Sequence, residues 1–285
     1  MSSPSSPDEA APPEGHRVRE TAVSYARGVV GGLLVALPLL LTMEVWWGGF
    51  IIPAWRLLLL ATLHYGVLLI LQHYSGLHPS KTVAAQARAA LVAYGIGIVV
   101  AAATLLALAV IRPGIAPRDL VGKLILEAIP VSIGSSVAMS EFGAEHEVVE
   151  RRKEEESYWG MVGMALAGAM LLGFAVGVTE EPMMIGMHLT WVHATALVIL
   201  SVLQVHLIVY AVEFRRHSRR GDRRWWQRLL KEGVSTYAVS LLVSAYVLWT
   251  FGRLGPDTGL VATVDEIITL GFAASLGAAA AELLI

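Results

Sequence analysis

The sequence predicts an all-α, polytopic membrane protein with eight transmembrane helices, and three observations carry that prediction. Of its 285 residues, 55% are hydrophobic and only 15% charged, with a mean hydropathy of +0.62; a soluble domain carries about 25% charge. The apolar residues gather in runs of roughly twenty, the length that crosses ~30 Å of hydrocarbon at 1.5 Å per residue. The runs are continuously apolar, without the alternation of a barrel strand, so helices must satisfy their backbone polar groups. A soluble enzyme and a nucleic-acid-binding domain are excluded. The absence of cysteine excludes disulfides, thiol catalysis and cysteine-ligated zinc.

Residues 1–24 begin with a stretch rich in Ser, Pro and acid, and read as a disordered cytoplasmic tail. No cleavable signal is expected before the first apolar run, which is too long for a signal core. A membrane domain is expected over 25–285, with spans near 25–47, 54–72, 89–111, 120–139, 159–178, 189–210, 234–251 and 260–284. Most of the 21 lysines and arginines fall on one side of this arrangement, including Arg151, Arg152, Lys153 and the cluster from Arg215 to Lys231. The positive-inside rule makes that side cytoplasmic, together with both termini. Trp46, Trp47, Trp55, Trp191 and Trp249 fall near the outer boundary, where anchoring aromatics belong.

Shifting the chain by 143 residues brings Tyr94 onto Tyr237, Pro113 onto Pro256, Ser132 onto Ser275 and Gly134 onto Gly277. A parallel four-plus-four duplication, with repeats over 25–142 and 158–285, is one reading; chance between two apolar segments is the other. The first two spans of each half align less well, although His64 and His206 come within one residue of the same shift. Small-residue pairs such as Gly28 with Gly32 and Gly173 with Gly177 predict close helix contacts.

Ionisable groups at membrane depth are costly and mark candidate sites. His64 lies near the middle of the second span, as a proton-exchanging group or a neutral interhelical bond. His193 and Gln204 lie about three turns apart on one face of the sixth span, as a cavity stripe or as helix-to-helix bonds. Lys123 and Glu127 are spaced i, i+4 and can pair along the fourth span, with the helix-bending Pro130 just beyond. A carboxyl there is a candidate proton or cation site. Pro38 and Pro182 predict further bends. Glu44, Asp119, Glu180, Glu181, Asp257, Asp265 and Glu266 gather at the outer ends, as a cation-attracting mouth or as tolerated outer charge.

Glu180 and Glu181 run into Pro182, Met183, Met184, Met187 and His188. Thioether and imidazole ligands suit copper(I), which gives a weak candidate metal site. Paired glutamates before histidines also resemble prenyl-endopeptidase-type intramembrane proteases, but those need an arginine where this chain has Ile185. No other catalytic motif and no cofactor motif is present. The segment Arg215–Lys231, with Trp225 and Trp226, has the composition of a surface lying on anionic headgroups.

The stretches LPLLLTMEVWW (Leu37–Trp47), GVTEEPMMI (Gly177–Ile185), VYAVEF (Val209–Phe214) and VLWTFGR (Val247–Arg253) resemble a bacterial integral membrane protein family of unknown function, over nearly the whole chain. The resemblance implies a bacterial inner-membrane location and supplies no substrate, cofactor or catalytic residue. Two functions stay open. One is a small cation- or proton-linked transporter or channel; the other is a non-transporting scaffold or accessory subunit. A water-accessible path to His64 or Glu127 would favour the first and dry packing the second. Oligomeric state is not legible.

Overall fold

A computed structural model describes residues 14–75, 82–141, 158–216 and 225–281. Ten helices lie in these segments. They are α1 (Glu14–Leu40), α2 (Met43–Ile51), α3 (Ala54–Ser75), α4 (Val83–Ala107) and α5 (Pro117–Glu141), then α6 (Tyr158–Gly177), α7 (Glu181–His188), α8 (Trp191–Arg216), α9 (Trp225–Thr250) and α10 (Leu260–Ala281). Eight are long and apolar enough to cross a membrane; α2 and α7 are the short exceptions.

The expected first span, 25–47, is two helices. α1 starts at Glu14, earlier than expected, and ends at Leu40. Pro38 donates no hydrogen bond and weakens the ladder just before that end. Thr42 completes the break. Its backbone is extended (φ −92°, ψ 116°), its N–H donates to Leu39 O at 2.8 Å, and its hydroxyl donates to Pro38 O at 2.7 Å. The chain then restarts as α2. Pro182 likewise starts a helix rather than bending one, since it occupies the first turn of α7, where a missing N–H costs nothing. α5 runs on through Pro130.

Each half has one central helix. α5 packs on α1, α2, α3 and α4, and α10 packs on α6, α7, α8 and α9. Glycine sets the closest crossings, as expected where lipid supplies no hydrophobic drive between helices. A Cβ on Gly31 would meet Ala138 and the Gly134 carbonyl; one on Gly168 would meet Ala281 and the Gly277 carbonyl. The halves join where α3 meets α6 and α9, around a core containing Leu60, Leu71, Leu126, Met164, Phe174 and Leu248.

Hydrogen bonds outside the regular ladders recur between the halves. From α4 onward the shift is 143 residues. Val110 N–H donates to Leu105 O at 2.9 Å, and Arg253 N–H to Leu248 O at 2.9 Å. The bonds Leu108 to Thr104, Ala109 to Leu106 and Ile115 to Arg112 recur as Phe251 to Val247, Gly252 to Trp249 and Thr258 to Gly255. Ala109 (φ 56°) and Gly252 (φ 74°) share the left-handed position that closes each helix end. In the first three helices of each half the shift is 137. Thr42 to Leu39 matches Thr179 to Val176, and Leu57 to Pro53 matches Ala194 to Thr190. The difference of six residues is taken up between α3 and α4 against α8 and α9. That is why a single shift aligns only part of the sequence. At the shift of 137, His64 stands opposite Ser201 and not His206.

Candidate functional site

α5 is the most buried of the eight spans, yet its interior carries Glu127, Ser132, Ser135 and Ser136. Each needs a partner from a neighbouring helix, because no water reaches it. Ser132 receives one from α3, where His64 Nε2 lies 2.7 Å from Ser132 Oγ. The serine hydroxyl donates to Ile129 O at 3.0 Å, so its oxygen accepts from the ring. His64 is thereby assigned as the Nε2–H tautomer, with Nδ1 buried and unpartnered. The Tyr94 ring of α4 meets the imidazole edge-on at 5.4 Å. One turn further along, Gln72 donates to Ser136 Oγ at 2.7 Å. Neither Gln72 nor the serine triplet was singled out from sequence, although a glutamine inside an apolar run is itself a signal.

Glu127 and Ser135 are left unpartnered. Both are fully buried, and neither the carboxyl oxygens nor Ser135 Oγ has a hydrogen-bond partner. The expected pairing of Glu127 with Lys123 does not form. Lys123 is partly buried and holds its ammonium over the Phe50 ring, 5.8 Å from the centroid, and no ion pair between the two is found among the described residues. Trp46 also acts on the carboxyl, although its indole N–H donates to Leu40 O at 3.0 Å. Glu127 therefore lies beside the α1–α2 break. Of the two side chains expected to be candidates at this depth, His64 is bonded to another helix and Glu127 is not.

The other candidates do not converge on this place. His193 bonds locally to the Thr190 hydroxyl at 2.9 Å, whereas Gln204 crosses to α10, donating to Phe272 O and Ser275 Oγ, both at 2.7 Å. Of the two alternatives for this pair, Gln204 makes a helix-to-helix bond and His193 a local one. His206 turns toward α9, with Nδ1 2.7 Å from Val202 O and its ring against Gly233. At the α2/α7 end Glu44 is partly buried in the first turn of α2.

The acidic end of the second half has its own cation. Arg253 lies 3.4 Å from Glu180, and acts on Glu181 and on the buried Glu266. Thr179, whose hydroxyl donates to Val176 O at 2.7 Å, and the backbone N–H of Glu181 itself, with Arg253 adding less, hold the Glu181 carboxyl below the usual carboxylate range. Arg253 therefore offsets part of the acidic charge at this end. Met184, Met187 and His188 lie exposed on α7, with Met183 half-buried. No group of three or more His, Asp or Glu side chains able to hold a metal is found among the described residues. The side chains of the basic segment Arg215–Lys231 lie, apart from Lys231, outside the described residues.

The residues missed from sequence are those that join the halves. Arg56 Nη1 donates to Trp249 O at 2.6 Å, and its guanidinium lies 4.5 Å from the centre of that indole. Trp55 meets Trp249 edge-on at 5.3 Å.

The model of the family described as "Putative integral membrane protein (DUF2391)" matches residues 24–285. No curated protein and no solved structure matches the chain.

Proposed function

The chain belongs to this family of integral membrane proteins, and from the α5 seam we propose that it is a small cation- or proton-linked carrier with Glu127 as its coupling group. One observation carries the reading: a carboxyl in the most buried span has two unpartnered oxygens. An unpaired carboxylate is too costly to leave in such a place, so a proton or a bound cation must balance its charge. The position beside the α1–α2 break agrees with carriers in which interrupted helices frame the site. The recurrent hydrogen bonds support a parallel duplication, with the halves related by an axis along the membrane normal. The family resemblance supports a bacterial inner-membrane location, and the basic-residue distribution supports cytoplasmic termini.

A second reading has its own support. His64 to Ser132, Gln72 to Ser136 and Gln204 to Ser275 are satisfied bonds between helices, and His64 and Glu127 are both closed to solvent. Those three bonds, and the dry packing around His64 and Glu127 that favours a scaffold over a carrier, suit a rigid membrane scaffold or accessory subunit. Ion and proton flux into proteoliposomes holding the pure protein separates the two. The carrier reading expects flux in the wild type and none in a well-inserted Glu127→Gln protein. Wild-type vesicles as tight as empty ones, or undiminished flux in Glu127→Gln, would overturn it.

A further inference from the structure

The halves join through different faces. The first half offers α2 and α3, with Gly48, Trp55, Arg56 and Ile70; the second offers α6 and α9, with Gly160, Gly163, Trp249 and Phe251. A twofold junction would use the same patch on both sides. This one is head-to-tail, and it leaves each half with one face unused.

Those faces can be named from the shifts of 137 and 143. Trp55 corresponds to Val192, Gly48 to Ile185 and Ile70 to Leu207, which places the unused face of the second half on α7 and α8. Trp249 corresponds to Leu106, Phe251 to Leu108 and Gly160 to Val23, which places the unused face of the first half on α1 and α4. At the junction Gly48, Gly160 and Gly163 are buried and Arg56, Ile70, Trp249 and Phe251 half-buried, while Trp55, at the rim, is 57% exposed; the counterparts are mostly exposed. Leu106 is 57% exposed, Val192 52%, Leu207 59% and Ile185 48%. α8 is the least buried of the eight spans and α1 the next. Exposed apolar side chains alone would only mark contact with lipid. The specific argument is that each face corresponds, position for position, to one already occupied by the other half.

We infer that a second copy of this chain docks its α1–α4 face onto the α7–α8 face, repeating between chains the head-to-tail contact that joins the halves within one. With the axis along the membrane normal, such a contact closes into a ring of whole chains. The inference rests on the correspondence of the halves, and does not depend on whether the protein transports. The interchain contact lacks a counterpart of the Arg56–Trp249 bond and stacking, since His193 and Leu106 stand there. It should be the weaker of the two.

Because the chain has no cysteine, thiol cross-linking in native membranes tests this directly. Trp55→Cys/Trp249→Cys, treated with a short bis-thiol reagent, reads the junction within one chain. Its linkage should form without change of mass on a denaturing gel, and be seen by mass spectrometry of the joined peptides. Membranes co-expressing Leu106→Cys and Val192→Cys chains read the junction between chains. They should give a two-chain band, while either variant alone stays at one-chain mass. The double variant Leu106→Cys/Val192→Cys should converge on one closed species. A linked internal pair with no two-chain band would overturn the inference and leave the internal junction standing. Equal self-linking of either single variant would show a twofold contact instead, and an unbounded ladder would overturn ring closure. Failure of the internal pair would overturn the correspondence itself.

Discussion

The first and second halves of this molecule hold opposite chemistry on closely matched backbones. Where α5 has Lys123 and Glu127, α10 has Glu266 and Leu270 at the corresponding positions. Ser132 and Ser275 are the same residue, make the same bond to their own helix, and receive a partner from the same neighbour, yet the donor is His64 in one case and Gln204 in the other. Backbone-level features recur: the glycine crossings, the helix closures at Ala109 and Gly252, the turns at Thr42 and Thr179. Polar side chains do not. The comparison separates what the frame requires from what has been added to it, and Glu127 falls in the second group. The halves also differ in closure, since α6 packs on α9 more extensively than α1 does on α4.

The largest effect should come from breaking the shared frame. Gly168→Val and Gly31→Val each put carbon against a backbone carbonyl of the crossing helix. Each should cost about 1–3 kcal/mol or more in thermal or denaturant unfolding in detergent. Gly66→Ala, with open space around it, should cost nothing and gain up to about 1 kcal/mol from helix propensity. If the two crossing variants differ greatly, the halves are less alike than their hydrogen bonds indicate.

A smaller effect should appear at the left-handed closures. Gly252→Ala puts a Cβ at φ 74° and should destabilise by about 1 kcal/mol, whereas Ala109→Gly relieves the same strain at φ 56° and should be neutral or slightly stabilising. Opposite signs at matched positions sharpen the comparison, and equal signs would break it.

The smallest effect concerns pH. The Glu181 carboxyl is held below its ordinary range in the folded protein, so its contribution is present above the unfolded pKa and is lost as pH falls through the folded one. Thr179→Val removes the largest cause. The melting temperature should then fall slightly near neutrality and meet the wild-type value at low pH, so that the acid limb of the profile flattens. An unchanged acid limb would show that the threonine does not act on this carboxyl.

Spans were legible because their signal is local: an apolar run of sufficient length is a helix in lipid whatever surrounds it. Glu127 and His64 were legible as buried groups for the same reason. The break between α1 and α2 was hidden because the run 25–47 stays apolar across it, and the bonds from Thr42 that complete it carry no hydropathy signal. α7 was hidden by shortness and by the charge of its first residues. The Lys123–Glu127 spacing allowed a pair that rotamer direction then denied, as the ammonium turned to Phe50 instead.

By itself, then, the sequence determined the number of long apolar helices and which ionisable groups lie inside them, since each depends on residue type and spacing along one segment. Tertiary structure alone decided which buried groups are satisfied. His64 and Glu127 look alike as single residues in apolar helices, but a hydrogen bond depends on what the neighbouring helix places within 3 Å. For His64 that is Ser132; for Glu127 it is only the Trp46 indole, whose N–H is committed to Leu40 O. The head-to-tail junction was decided in the same way, because contacts such as Arg56 with Trp249 join residues far apart in the chain, and no local pattern encodes which faces of two similar halves will meet.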